Sequence, residues 1–348
     1  ASSATDMPEE QTGGAIENKL FYIPASLPLT TARGTIYFQD TAFSTYRLTG
    51  GAANVLTDLS RSYRKPQYPY SPTGFSIRFY VGEKDYHTLG FLNGETDFSS
   101  VGKVWKVEYF GNAPDPHTSL GSYEFTNENS TGGAIPNTTG TQVTSDGDRL
   151  IYFGCGPANL EAQAIDEDAR PSEQSNDWEY YTVRALDGSG GSVKSTIYYF
   201  IRDSDNCKGF QRRRLAWRNS FGCWDYFSFK MKSTQTVNIK RNTYETMIGN
   251  FERLIYSYDN FQNGIETRET TARITETLNT DFLDEAEVLL LEKLLVATDV
   301  NVVSNKYTTF TVPVTIKDTK YIRKSIENNK LMQYTITIEY AHPLNTNS

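Results

Sequence analysis

The residues of this chain that could take part in catalysis lack the spacing that catalysis requires. The three histidines, His87, His117 and His342, lie far apart, and the sequence has no His-x-x-x-His motif, no Gly-x-Ser-x-Gly nucleophile turn and no glycine-rich phosphate loop after a strand. Paired carboxylates remain open, because glycoside hydrolysis needs only two and the chain has 42 acidic residues. We expect no enzyme and no bound cofactor or metal, and we interpret each histidine as a loop or surface residue.

The cysteines do not form a recognisable disulfide or zinc pattern. Cys155, Cys207 and Cys223 are few and unevenly spaced, and the sequence has no Cys-x-x-Cys pair for metal binding or thiol exchange. Cys207 and Cys223 flank the segment that contains Trp217, so a disulfide between them is conceivable. We nevertheless expect three free thiols, as in a protein made in a reducing compartment.

The charge balance argues against nucleic-acid binding. The chain has 34 Lys and Arg against 42 Asp and Glu, a net charge of −8 and a pI near 5.1, whereas a protein that neutralises phosphates usually carries a basic excess. The basic triplet Arg212, Arg213 and Arg214 is an exception, and we interpret it as a solvated edge or an intersubunit salt bridge in preference to a nucleic-acid contact. No run of about 18 apolar residues and no obvious export signal appears, so we expect no membrane insertion.

The composition predicts a mainly β protein, with β-sandwich or barrel-like domains and a minor α+β component. The chain has 23 Tyr and 19 Phe against only 4 Met, and aromatic residues pack well on pleated surfaces. One amphipathic helix is predicted near residues 281–297, with Thr280 or Asp281 as its cap and acidic residues in its first turns. Its apolar positions recur at helical spacing: Phe282, Ala286, Leu289, Leu290 and Leu294.

The order of segments predicts four regions. Residues 1–18 are small, polar and acidic and are expected to form a flexible N-terminal arm, and residues 19–110 contain short β-like runs that predict an N-terminal β domain. Residues 111–147 are rich in Gly, Ser, Thr, Asn and Pro, which favours a long polar loop or linker. Residues 148–348 predict a C-terminal β domain with the one helix. Its closing strand, residues 331–340, alternates apolar and polar side chains.

An aromatic segment at residues 215–229 holds the candidate site residues. It could serve as an exposed binding platform, but we favour a structural interpretation in which residues 219–222 form a turn and Gly222 adopts a positive φ. The aromatic side chains then alternate between the two faces of the following strand. The residues of this motif are Trp217, Asn219, Gly222, Trp224, Asp225, Tyr226 and Phe229.

The second half of the chain resembles virion proteins of tailed bacteriophages. The resemblance is carried by RLAWRNSFGCWDYFSF at 214–229, LNTDFL at 278–283 before the acidic helix, PVTIKD at 313–318 and QYTITIEYA at 333–341. The most similar are tail or tail-hub proteins of crAss-like phages and of phages of Bacteroidetes and marine bacteria. The resemblance covers residues 148–343 and departs at Cys223, where a second glycine is more usual.

This resemblance implies a structural protein of the virion tail, assembled in the cytoplasm of the bacterial host. It implies a symmetric ring of identical copies, joined to other tail or portal-neighbouring proteins around the axis along which DNA leaves. We expect the 1–18 arm and the 111–147 loop to become ordered through neighbours, and exposed strand edges, such as that of the closing strand, to be satisfied by ring closure. The alternative is a carbohydrate- or receptor-binding module of a tail fibre.

Overall fold

The structure is a computed structural model. It describes residues 48, 55–57, 65–66, 75–92, 101–111, 119–126, 150–164, 167–173, 178–203, 209–259, 261, 264–283, 285–303, 311–318 and 332–344. The chain divides into two compact units: unit 1 is Ala1–Ser204 with Arg218–Tyr226, and unit 2 is Asp205–Trp217 with Phe227–Ser348. The N-terminal arm expected at residues 1–18, together with His117 and Cys207, lies outside the described residues.

Unit 1 is built on a six-stranded sheet in the order β1-β2-β8-β7-β4-β5, with a separate antiparallel pair β3-β6. Strands β2 and β8 are parallel, and the other neighbours in the larger sheet are antiparallel. A short helix, α1, and a 3-10 turn at Glu167–Ala169 follow β6. The element bounds are β1 Lys65–Pro66, β2 Phe75–Val81, β3 Thr88–Leu92, β4 Val101–Gly111, β5 Ser119–Thr126, β6 Leu150–Gly154, α1 Pro157–Gln163, β7 Trp178–Asp187 and β8 Tyr198–Arg202.

Stacked aromatic rings hold the two sheets of unit 1 together. Trp105 of β4 lies parallel to Phe153 of β6, with ring centroids 4.6 Å apart and an interplanar angle of 2°. Phe91 of β3 meets Tyr198 of β8 edge-on at 5.5 Å. All four side chains are fully buried, and aromatic side chains contribute large buried areas to a core. The prediction of a mainly β, sandwich-like fold is confirmed.

The region expected to be a polar loop, residues 111–147, contains a strand. β5 pairs with β4 along Val104 to Phe110. Because β5 is the outermost strand of its sheet, most of its small and polar residues are exposed and only Phe125 is buried. Strands before and after the expected domain boundary at residue 148 also lie in one sheet. The unit boundary of the structure therefore falls near residue 204 instead.

Unit 2 is built on a seven-stranded sheet in the order β10-β9-β15-β16-β17-β14-β11, with a small hairpin β12-β13. The connection between β9 and β10 belongs to unit 1, as part of Arg218–Tyr226. The element bounds are β9 Arg213–Arg218, β10 Trp224–Phe229, β11 Thr234–Glu245, β12 Asn250–Glu252, β13 Ile255–Ser257, β14 Ile265–Asn279, α2 Glu285–Val296, β15 Val300–Val303, β16 Thr311–Ile316 and β17 Thr335–Tyr340.

The predicted helix is present as α2, but it starts later than expected. Thr280 does not cap it, because its hydroxyl oxygen accepts a hydrogen bond from the backbone N–H of Tyr334 at 2.8 Å. Asp281 accepts one from the N–H of Phe282, and Phe282 lies before the helix with 59% of its surface exposed. Four apolar side chains of α2 are buried: Val288, Leu290, Leu291 and Leu294.

The expectation of an exposed edge at the closing strand is wrong. β17 lies inside the sheet of unit 2, between β16 and β14. The alternation in its sequence shows that one face is buried, but it carries no signal about which strands lie on either side. Among the described strands, the edges of this sheet are β10 and β11.

A buried carboxylate joins four strands of unit 2. Glu276 of β14 is fully buried and accepts hydrogen bonds from Arg213 of β9 at 2.9 Å, from Gln235 of β11 at 3.1 Å and from Tyr340 of β17 at 2.6 Å. Burial raises the pKa of Glu276, but these hydrogen bonds outweigh it and hold the pKa below its ordinary value of 4.5.

The same contact corrects the interpretation of the arginine triplet as a solvated edge or an intersubunit salt bridge. Arg213 forms its ion pair with Glu276 of the same chain. Arg214 is buried, and both it and Arg212 donate hydrogen bonds to Ser228. The sequence shows three consecutive cations, but it does not show that the Glu276 carboxylate of another strand lies beside Arg213 in the fold.

We predict that Glu276→Gln destabilises the protein by about 2 to 3 kcal/mol at pH 7, because Arg213 loses a buried ionic partner. Since the folded pKa is lowered, the carboxylate stabilises the fold above pH 4.5, and this contribution disappears as the pH falls through the folded pKa. The variant should therefore lose less stability than the parent on acidification. Urea unfolding between pH 3 and pH 7 measures both effects.

Glu339→Gln is the matched control. Glu339 lies on the neighbouring strand β17 and pairs with Lys317 and Arg273, whose side chains are 47% and 55% exposed. We expect its loss to cost less than about 1 kcal/mol. Equal costs for the two variants would contradict a special role for Glu276.

Candidate functional site

The turn between β9 and β10 has the conformation that its sequence predicts. The side-chain oxygen of Asn219 accepts hydrogen bonds from the N–H groups of Phe221 and Cys223, each at 3.0 Å. Its amide nitrogen donates to the carbonyl oxygen of Leu56 at 2.9 Å. Gly222 has φ 80°, which confirms the expected positive φ. Asn219 therefore organises a turn and is not positioned to contact a ligand.

The other residues of the motif are divided between buried and half-buried positions. Trp217 and Phe229 are buried, whereas Trp224 and Tyr226 are half-buried. Asp225 is buried and accepts a hydrogen bond from the hydroxyl of Thr57. These positions favour the structural interpretation, because an exposed aromatic platform would need the rings of Trp217 and Phe229 to face solvent.

Arg218 covers the exposed side of Trp224. Its guanidinium carbon lies 5.1 Å from the centroid of the Trp224 ring, a distance at which a cation is attracted to the aromatic face. The same guanidinium donates to the carbonyl oxygen of Gly222 at 3.2 Å. Trp224 therefore takes part in holding the turn closed.

The interpretation of His87 as a loop or surface residue is wrong. His87 is 3% exposed, and its ring lies 4.5 Å from Tyr226, 4.6 Å from Phe79 and 5.2 Å from Phe200. A single histidine has no sequence pattern that distinguishes an aromatic core from a loop. His342, in contrast, is exposed as expected.

Two of the cysteines are buried thiols. Cys155 donates to the carbonyl oxygen of His87 at 3.5 Å. Burial raises the pKa of Cys223 to about 12, so this thiol stays protonated at neutral pH and is a poor nucleophile. Gly90 faces it closely, since a Cβ added at Gly90 would lie 2.5 Å from the Cys223 sulfur.

The described residues offer no other chemical centre. No group of three or more His, Cys, Asp or Glu side chains among them could hold a metal ion. Within the same residues, neither helix has the length and apolar character needed to cross a membrane. The remaining candidate for a functional surface is a long hairpin in unit 2.

This hairpin, which we call the arm and which is distinct from the N-terminal arm expected at residues 1–18, consists of β11, β14 and the tip between them, residues 246–264. β11 pairs with β14 along its whole length, from Thr234↔Thr277 to Glu245↔Ile265. β14 pairs with β17 only at Thr275–Asn279. Beyond that point the described strands of the arm are only β11 and β14, over about 30 Å at the usual rise per residue, and Leu344 donates a backbone hydrogen bond to Ala272 of β14 at 2.8 Å. Every residue of β11 is exposed.

Polar contacts hold one face of the ribbon together. Asn238 donates to Thr275 at 2.9 Å and Asn242 donates to Glu269 at 3.1 Å, and each bond joins β11 to β14. Tyr244 donates to Glu266 in the same way. Such cross-strand pairs stabilise a hairpin whose β11 strand is exposed along its whole length.

The tip of the arm carries large apolar side chains in contact with solvent. Leu254 is 99% exposed, Phe261 81% and Met247 79%. The tip folds back as the small hairpin β12-β13, whose turn includes Arg253 with φ 57°. Other exposed apolar residues at or beside the tip are Tyr244, Ile248, Ile255, Tyr256, Tyr258 and Ile265. These exposed apolar side chains make the tip a candidate interaction site.

The arm is difficult to recognise in the sequence. Its strands are rich in Thr, Asn, Glu and Arg, and such residues suggest loops when no buried face is visible. One signal was available: Val237 and Ile239 lie two positions apart in β11, as do Ala272 and Ile274 opposite them in β14.

Comparison with protein-family models, with curated proteins and with solved structures finds no match for this chain. The interpretation of the turn at residues 219–222 and of the arm therefore rests on the contacts and exposure described above.

We predict that Gly222→Val destabilises the protein by about 1 to 2 kcal/mol. An added Cβ meets no atom within 4 Å, so we attribute the cost to placing a branched side chain at positive φ. Gly222→Asn is the matched control, because asparagine tolerates this conformation, and it should cost less than half as much. Urea unfolding of both variants measures the difference. Equal costs would mean that packing, not φ, requires the glycine.

Proposed function

We propose that this chain is a structural protein of a tailed bacteriophage virion. In this proposal several copies join one another and neighbouring tail proteins in the tail hub, tail or neck, around the axis along which DNA is ejected. The proposal is supported by the resemblance of residues 148–343 to tail and tail-hub proteins and by the mainly β fold.

The observation that carries the proposal is the arm. Every residue of β11 is exposed, and the tip holds Met247, Leu254 and Phe261 in solvent. Each such side chain gains roughly 1.5 to 3 kcal/mol when it is moved from water into an apolar contact. A protein that assembles with neighbours gains this energy at the interface, which explains why the side chains are apolar.

The net charge of −8 also supports a place beside the DNA path. A negatively charged wall repels phosphates, so it does not retain DNA during ejection. The carbohydrate-binding alternative draws no support from the aromatic motif, because Trp217 and Phe229 are buried.

Localisation in the particle tests the proposal. Antibodies against the chain, bound to purified particles of the phage that encodes it, should label the tail or its junction with the capsid in electron micrographs. Mass spectrometry of the same particles should detect the chain in several copies. Particles that lack the chain, or label confined to the distal ends of tail fibres, would contradict the proposal.

We predict that replacing both Leu254 and Phe261 by serine prevents incorporation into particles but leaves the fold intact. Since both side chains are almost fully exposed, the free energy of unfolding should change by less than about 0.5 kcal/mol. The measurement is the yield of infectious particles when the variant complements a phage that lacks the gene. Val296→Ser is the matched control, because Val296 is 75% exposed on α2, away from the arm in the sequence. Normal yield with the double variant would contradict a role for the tip.

A further inference from the structure

The edge of β11 is open and regular. β11 is the last strand of its sheet, with β14 on one side and no described strand on the other. The one irregularity in the pairing falls between Asn242 and Thr243, where the partner residue changes from Glu269 to Thr267. The extra residue, Arg268, therefore lies in β14, and β11 continues without a bulge. β11 also contains no proline, so its backbone can pair with another strand.

Two opposite charges on this strand have no ionic partner among the described residues. Arg241 and Glu245 are both exposed, and they lie on the same face of β11 because they are four residues apart. Their Cα atoms are about 13 Å apart along an extended strand, which is too far for an ion pair between them. The opposite face differs, since Asn238, Asn242 and Tyr244 are all hydrogen-bonded to β14.

We propose that β11 pairs antiparallel with β11 of a second copy of this chain, around a two-fold axis at Thr243. In this register Arg241 lies opposite the second copy's Glu245, and Glu245 lies opposite the second copy's Arg241. Both charges, which have no ionic partner among the described residues of one copy, are thereby paired between two copies. Directly opposed residues in an antiparallel pair lie on the same face, about 5 Å apart, and opposite charges there attract.

The same register brings apolar residues together. When the pairing continues two residues past Glu245, the end of β11, Ile239 lies opposite the second copy's Met247. Ile265 flanks that contact because it pairs with Glu245 within its own copy. These three side chains are 53%, 79% and 65% exposed in the single chain. Their burial between two copies removes apolar surface from water without burying a charge that lacks a partner.

Two neighbouring symmetric registers are less favourable. A two-fold axis at Lys240 or Arg241 would place two like charges directly opposite each other, which is destabilising. Charge therefore favours the Thr243 register over these two. This contact goes beyond the proposed virion role and does not depend on it, since it concerns only how two copies join.

A charge exchange tests the contact in the purified full-length chain. Arg241→Glu and Glu245→Arg should each weaken self-association by about tenfold or more, because each puts like charges opposite one another. The variant carrying both changes should recover the affinity of the parent to within about threefold, since the two charges have only changed places. Lys240→Glu is the matched control. It makes the same charge change on the opposite face and should weaken association less than Arg241→Glu. Sedimentation velocity gives the dissociation constants.

A cross-link tests the register. With Thr243→Cys, oxidation should join two chains covalently, because the two Thr243 residues face each other at the axis. The same substitution at Thr236, near the base of the arm, should not. A parent chain that is monomeric at high concentration would overturn the contact while leaving the virion proposal to its own test. Failure of the double charge variant to recover, or cross-linking at Thr236 and not at Thr243, would also overturn it.

Discussion

The buried carboxylate of Glu276 determines where the arm leaves the body of unit 2. It lies on β14 near the last residues that pair with β17, and its hydrogen bonds come from β9, β11 and β17. One charged group thus connects both strands of the arm to the sheet. A buried charge is costly unless it is paired and hydrogen-bonded, so the four strands are held to one arrangement.

The two units are stabilised by different means. In unit 1 stacked rings fill the space between the sheets, as Tyr181 and Phe200 do at 4.9 Å and 3°. Unit 2 has an apolar core and the hydrogen-bonded ion pair at Glu276. The strand pair β11–β14 continues beyond Glu276 towards the tip of the arm. The first kind of packing gives a closed core, and the second leaves the side chains of β11 and of the tip exposed.

Several features could be predicted from the sequence, and the reason differs from one to another. The mainly β fold follows from composition, and α2 follows from apolar residues at helical spacing. Gly222 could be assigned a positive φ because it lies in a short turn after Asn219. The Glu276 network could not be predicted, since its donors are distant in the sequence. β5 and the arm were missed because their side chains are largely exposed and polar, and composition alone does not separate such strands from loops.

The way the chain is divided between the units constrains the order in which it can fold. Unit 1 is not complete at Ser204, because it also needs Arg218–Tyr226. The bond between Thr57 and Asp225 spans 168 positions, and β2 pairs in parallel with β8. Contacts between such distant residues are slow to form. During synthesis the ribosome must therefore release part of unit 2 before unit 1 can close, and the aromatic surfaces of the early strands need protection from aggregation until then.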